Sequence, residues 1–513
     1  MLGQNKKAKL RILLIDILPP EEPRAGLGIA SLKAYAMQHP GLRKQISITL
    51  KNFSLHEDCA HILRYINKRR PGIIGFSCFE WNLHQVLRLV NLTRQILPGA
   101  FIVCGGPEAS PISAELLTRN DTIDVIVRGY GEKPFVDIIR NRLSGFPLLG
   151  HIKGISFRKK KSVVSTLPSL PLEDLDELPS LYAGRLVPEN NVKQGERILY
   201  EASRGCIFNC HFCYFDMQQT KVVRTHSMKR IEGELAYFMK HKVGRVTFVD
   251  SLLNYDNMRM SGILRFILRH NQVTKFEFEI RGDLLNDDNV HLLNELAKKD
   301  FLFRLDIGLQ SIHPHVLKNI NCTIQVNRLL RNTSLFSPAL KKATTIDLIY
   351  GLPGDSYQGF KASLEYSLKK IGVWTQCTIF QVLPGTKLYE NSAAFGLVFV
   401  PLPPHHIYSN DTYSMDDIIR SEKLVDAYDI LDTFASASII LMAKKSGIDI
   451  TDVFEMFVHW EKRQDVPFWE SNKPYSRLRQ FIKTVCTDRK QHKLIPSINV
   501  VLRHDCMAAV RRN

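Results

Sequence analysis

The chain has 513 residues, of which 44% are apolar and 23% charged. That composition excludes a collagen-like, coiled-coil or wholly disordered molecule and leaves room for three or four globular domains. Lys plus Arg number 69 against 51 Asp plus Glu, a net charge of +18, and residues 471–513 alone carry ten Lys or Arg against two Asp. This balance favours phosphate-bearing or acidic partners. No basic motif interleaved with aromatics stands out, so most of the excess reads as solubility charge, and nucleic acid is not expected as a partner.

No run of eighteen apolar residues exists, so no membrane span is expected. The basic start, with Lys6, Lys7, Lys9 and Arg11, leads into the apolar stretch Ile12–Leu18. That stretch contains Asp16, meets Pro19-Pro20 and lacks a small-residue cleavage site, which argues against a signal peptide. Ten cysteines without such a signal point to a reducing, cytoplasmic setting, where clustered cysteines bind metal.

In chain order, residues 1–145 alternate strands and helices. Strands are predicted at 11–17, 46–53, 72–78, 100–105 and 123–128, with helices at 28–38, 58–69, 83–96 and 133–141. This alternation implies parallel strands with crossover helices, hence a five-stranded doubly wound (Rossmann-like) sheet. Residues 146–195, with the basic run Arg158–Lys161, Pro168, Pro171, Pro179 and the acidic stretch Glu173–Glu177, read as a linker with a small hairpin. From 196 to 390 strands recur at 198–202, 245–250, 275–280, 304–309, 345–350 and 377–383. Six β/α units predict a partial (β/α)6 barrel. Residues 391–513 lose the strand signal, and helices at 415–445 and 451–463 predict a mostly helical C-terminal domain. The fold class is therefore α/β throughout its first two domains.

The strongest chemical signal is Cys206, Cys210 and Cys213, spaced C-x3-C-x2-C in Arg204-Gly205-Cys206-Ile207-Phe208-Asn209-Cys210-His211-Phe212-Cys213. A zinc knuckle using His211 would need a closed set of four ligands and usually a second paired half. Three thiolates instead suit a [4Fe–4S] cluster that leaves one iron without a protein ligand. The cluster would follow the first barrel strand, at the C-terminal rim where such barrels hold their chemistry.

This segment resembles the radical S-adenosylmethionine (SAM) superfamily, whose pattern is C-x3-C-x-aromatic-C, with Phe212 as the aromatic. The later strand ends agree with it in order. They are Phe248-Val249-Asp250-Ser251, Glu279-Ile280-Arg281-Gly282-Asp283, Gly308-Leu309-Gln310-Ser311, Asp347-Leu348-Ile349-Tyr350-Gly351-Leu352-Pro353-Gly354-Asp355 and Leu383-Pro384-Gly385-Thr386. The resemblance implies that the open iron chelates SAM, that reduction releases a 5′-deoxyadenosyl radical, and that a flavodoxin- or ferredoxin-like donor supplies the electron. Asp250, Glu279, Arg281, Gln310 and Gly351 would then converge on the SAM site, with Glu279 on ribose hydroxyls and Arg281 on the SAM carboxylate. Bland alternatives are an ion pair between Glu279 and Arg281, and a helix cap at Asp250.

Within the same branch, a doubly wound domain ahead of the barrel often binds cobalamin (vitamin B12). Ser77 ends the third strand and Gly105-Gly106 the fourth, where doubly wound sheets bind ligands. Arg128-Gly129-Tyr130-Gly131-Glu132 also resembles that group. The usual Asp-x-His-x-x-Gly motif departs here to Asp16-Ile17-Leu18, so no histidine is offered as a lower cobalt ligand. The implied enzyme is a cobalamin-dependent radical SAM methyltransferase acting on an unactivated carbon of a small-molecule or peptide substrate. Alternatives are a non-methylating radical SAM oxidoreductase or cyclase, a methylthiotransferase-like enzyme with a second cluster at Cys59, Cys78 and Cys104, or a nucleic-acid-binding or cobalamin-sensing protein. The last would use the basic tail with Trp469, Tyr475 and Phe481. Cys322, Cys377, Cys486 and Cys506 lack ligand spacing and read as structural, and His405-His406 as surface loop histidines.

Overall fold

The computed structural model describes residues 8–20, 26–145, 148–182, 192–215, 221–464, 467–470 and 473–510. Lys6, Lys7 and the side chain of Trp469, singled out in the sequence, lie outside them. Among the described residues no helix is long and apolar enough to cross a membrane.

The first strand, β1 (Leu10–Leu18), is apolar on both faces, and its six central residues are buried. Such a run suits the middle of a parallel sheet covered on both sides. β1 pairs in parallel with β2 (Ile46–Ser54) and β3 (Ile73–Ser77), followed by β4 (Phe101–Gly105) and β5 (Val125–Val127). The spatial order is β2-β1-β3-β4-β5, so the direction of winding reverses between β1 and β3. The hairpin expected after residue 145 forms as β6 (Ile155–Lys159) and β7 (Ser162–Ser165). It adds to the same sheet as two antiparallel strands. Helices Leu27–Met37 and Glu132–Ser144 cover one face, whereas Cys59–Arg69 and Leu83–Ile96 cover the other. A short helix, Ser113–Arg119, was not predicted, since seven residues are too few to show a helical period.

The second sheet contains six parallel strands in sequence order: β8 (Arg197–Tyr200), β11 (Arg245–Phe248), β12 (Lys275–Ile280), β13 (Leu302–Gln310), β14 (Thr344–Tyr350) and β15 (Trp374–Ile379). A two-strand ladder of β9 (Ser203–Arg204) and β10 (Arg224–Thr225) lies beside the cysteine loop. Helices fill the crossovers with side-chain caps at their starts. Asp256 accepts from Met258 and Arg259 N–H, and Ser356 from Gly359 N–H. The last strand ends earlier than the sequence suggests. After Ile379 the chain leaves the sheet, and Val382 N–H bonds His405 O at 2.9 Å instead.

One apolar core runs unbroken from the barrel (Phe248, Phe278, Tyr350, Phe380) into the C-terminal helices (Tyr428, Phe457, Phe481). The long helix Met415–Ser446, capped by Ser414, bends at Ala435 and packs on helix Ile495–Val510. Phe481 is fully buried and Tyr475 packs against this core, so neither offers the stacking surface that a nucleic-acid-binding tail would use.

Candidate active site

The C-terminal edges of the two sheets face each other across a cavity of about 340 Å3. From the first sheet come Leu14, Gly75, Ser77, Gly105 and Gly106, with Gly129, Gly131 and Glu132 beyond β5. From the barrel come Glu201, Ser203, Arg204 and Gly205 after β8, and Val249 and Ser251 after β11. The cavity thus opens at the β1/β3 winding switch, the position where open parallel sheets bind ligands.

Two glycines here have distinct causes. Gly106 has φ +119, and a Cβ on it would stand 2.4 Å from the Cys78 carbonyl oxygen, so close packing of the two strand ends requires it. At Gly105 a Cβ would meet only ordinary contacts with Val127 at 3.5 Å. Packing does not demand a glycine there, whereas a ligand approaching the backbone would. Asp16, near the end of β1, is buried with Oδ1 unpartnered, and burial pushes its carboxyl up to about 7.

The two sheets are joined by buried charge. Arg204 reaches Glu132 at 2.7 Å and Glu201 at 2.8 Å, and Ser31 Oγ donates to Glu132 at 2.8 Å. Burial pushes the Glu132 carboxyl up, but the charge and hydrogen bonds of Arg204, with that of Ser31, outweigh it and hold the group below its usual range. His405 is a second link and a correction: it is not a surface histidine but wholly buried, with Nε2 2.8 Å from Glu108 Oε1. Gln381 Nε2 donates to Glu80 at 2.6 Å alongside it.

Cys206, Cys210 and Cys213 lie on the loop after β9, partly exposed, and no disulfide joins them. Among the described residues no three of His, Cys, Asp and Glu are grouped as they would be around a single ion. The loop is pinned from several sides. Asp250 accepts from Ala202 N–H at 3.0 Å and from Ser203 Oγ, bracing the strand that leads into it, and caps no helix. Ser251 Oγ donates to Gly205 O, Ile320 O accepts from His211 N–H at 2.9 Å, and Leu388 N–H donates to His211 O at 3.0 Å. Phe212 packs against the barrel core.

Arg281 does not pair with Glu279. Its guanidinium forks onto Asp283 at 2.7 and 3.0 Å and lies over the Phe208 ring of the cysteine loop, 4.0 Å from its centroid. Glu279 opens to the barrel mouth but is hemmed in by protein elsewhere. Burial, then the neighbouring Asp306, pushes its carboxyl up to about 7. Asp306 and Asp347 behave alike, raised by burial first, to about 6 and about 8. Gln310 sits at a register shift between β13 and β14 with φ +67, a left-handed conformation uncommon outside glycine. Gly351 turns with φ +84 at the end of β14.

Sequence spacing missed Cys322. Asn321, with φ +50, turns the chain and donates to Asn209 O at 2.6 Å, and the Cys322 thiol meets that of Cys210. That hydrogen bond, against burial, holds Cys322 down to about 7, while Cys210 is driven up. Cys78 and Cys104 also touch, on adjacent strands in the apolar core.

Residues 25–139 match the B12 binding domain family, and residues 200–366 match the Radical SAM superfamily. The chain therefore carries a segment that matches a B12 binding domain, followed by one that matches the Radical SAM superfamily. The chain is 25% identical over 372 residues to the 2-(S-pantetheinyl)-carbapenam-3-carboxylate methyltransferase of Streptantibioticus cattleyicolor, covering 69% of this chain and 53% of that one. It is 32% identical over 297 residues to the anaerobic magnesium-protoporphyrin IX monomethyl ester cyclase of Synechocystis sp., covering 55% and 56%. The chain therefore spans about half the length of these two relatives. Its fold is that of the cobalamin-dependent S-adenosylmethionine radical enzyme OxsB with aqua-cobalamin bound, with a TM-score of 0.67 over 98% of this chain and 81% of that one at 14% identity.

Proposed function

We propose that the protein is a cobalamin-dependent radical SAM methyltransferase that methylates an unactivated carbon. The observation that carries this reading is the shared cavity. Ser77, Gly105 and Gly106 on one side and Arg204 and Gly205 on the other border a single space, and Gly205 adjoins Cys206. Its apolar wall (Leu14, Ile29, Leu32, Val103) and side-chain-free floor fit the nucleotide tail of a cobalamin. Cys206, Cys210 and Cys213 have the donor chemistry of a [4Fe–4S] site with one open iron. When bound, these groups supply the electron that splits SAM and the carrier for its methyl group.

The chain's own residues position and shield. Arg204, held by Glu132 and Glu201, fixes the strand that leads into the cysteine loop, and Asp250 braces its backbone. Glu279, Gln310 and the turn at Gly351 line the route to SAM. Arg281 stays with Asp283 and supports the loop through Phe208. Leu18 replaces the usual histidine, so the chain offers cobalt no imidazole from β1. We take residues 1–145, 146–195, 196–390 and 391–513 as the cobalamin, linker, radical and wall segments. The substrate is a small molecule or peptide, and a flavodoxin- or ferredoxin-like donor supplies the electron. We assign a cytoplasmic setting, where thiols stay reduced and clustered cysteines bind metal.

Anaerobic purification tests the reading: about four irons and one cobalt per chain are expected. SAM labelled in its methyl group should pass the label to product. The identity to the cyclase favours one second reading, a non-methylating radical enzyme, in which the label stays out of product.

A further inference from the structure

We propose that Cys210 and Cys322 close into a reversible disulfide when the cysteine loop holds no iron, sealing that site against damage until it is reduced. The two thiols come from distant parts of the chain, and the residues on both sides of Cys210 are fastened to the two that precede Cys322. Asn321 donates to Asn209 O at 2.6 Å, and His211 N–H donates to Ile320 O at 2.9 Å. Cys322 is fixed in turn by its own N–H, which bonds Leu317 O at 2.8 Å. The residues flanking Cys210 are thus tied to the two that precede Cys322, which sets the two thiols side by side. Thiols whose neighbouring residues are already fastened together need little backbone movement to bond.

Both residues are partly exposed, so a small oxidant reaches them. Cys78 and Cys104 also touch, but each is only 1% exposed, which makes them a pair within the same chain that should stay reduced. The chemistry is thiol–disulfide exchange with oxidised glutathione. One thiolate attacks it and releases a glutathione. The second thiolate then displaces the other glutathione from the mixed disulfide. Two thiols become one disulfide, and two electrons and two protons leave as two glutathione thiols. Iron bound at Cys210 would occupy that sulfur, so the link forms only in the iron-free chain.

The inference rests on the proposed iron site only for what is sealed, and the two fail separately. The full chain is stripped of iron by a chelator with dithiothreitol, desalted, and treated with oxidised glutathione. Differential alkylation and non-reducing peptide mapping follow, then iron and sulfide with and without renewed dithiothreitol. Expected are a linked peptide pair containing Cys210 and Cys322, unchanged alkylation of Cys78 and Cys104, and iron uptake lost until reductant is added. Cys322→Ser and Cys322→Ala, each checked by circular dichroism, should keep iron uptake after the same oxidation. Full alkylation of Cys322, or Cys210 linked to Cys206 or Cys213 instead, would overturn the pairing. A chain that forms the link yet takes up no iron in any redox state would uphold the pairing and refute the proposed cluster.

Discussion

Replacing Arg204 with methionine tests the charged seam between the two sheets. Arg204 is 14% exposed in its side chain, and its partners Glu132 and Glu201 are 6% and 27% exposed. Methionine keeps most of the volume but leaves two carboxylates without their guanidinium. Removing one partner of a buried pair costs about 3–5 kcal/mol. Ser31 still donates to Glu132, which places R204M near the lower end, at about 3 kcal/mol. The pH dependence follows from the sign of each shift. In the native chain Glu132 is held low, so its contribution is full above the ordinary carboxylate range and is lost only as pH falls through the lowered value. In R204M the same carboxyl rises, and acidification neutralises the orphaned charge. The deficit should therefore be largest near pH 7.5 and shrink toward about pH 5. Urea unfolding followed by fluorescence, read at the first transition, measures it. The double variant E132Q/R204M should recover about 1–2 kcal/mol, because only Glu201, the more exposed of the two carboxylates, is then left without its guanidinium. An R204M deficit below about 0.5 kcal/mol at both pH values would refute the argument that this seam is a desolvated ion pair.

G106A should displace the loop after β4, because its Cβ would strike the Cys78 carbonyl and its φ is +119. About 2 kcal/mol of stability and most of the corrinoid absorbance per chain should go. Asp347, raised to about 8 by burial, then by Asp306 and Glu279, holds its proton far above the unfolded value, so stability falls as pH rises between about 4 and 8. D347N should flatten that slope in a series of thermal melts. H405L leaves the Glu108 carboxylate buried without its imidazole partner, at a cost of about 3 kcal/mol. Limited proteolysis should then cut near residues 400–410, and H405L/E108Q should resist.

Strand positions were legible from short apolar runs ahead of turn residues, mostly β-branched in Ile73–Ser77 and built on Phe276 and Phe278 in Lys275–Ile280, each within a residue or two of its observed ends. The cysteine trio was legible because its three members lie close together in sequence. Contacts made by distant segments were not. Asn321 and Asn209 are 112 residues apart, and the turn that brings Cys322 in depends on a left-handed asparagine that spacing does not flag. His405 is 297 residues from Glu108, and its two neighbouring prolines look like any exposed loop. Glu279 and Arg281, two residues apart, do not pair because the strand ends between them and Arg281 turns toward Asp283.

The unbroken core between barrel and C-terminal helices makes residues 391–513 a retaining wall, not an appendage. Cutting the chain there would bare Tyr350 and Phe380 from outside and strip Tyr428 and Leu431 of the surface they rest on. A hybrid that borrows this wall from a relative would have to import the matching flank of the last two barrel strands as well. Diversification of whatever the wall contacts must therefore proceed by paired changes on both sides of the seam.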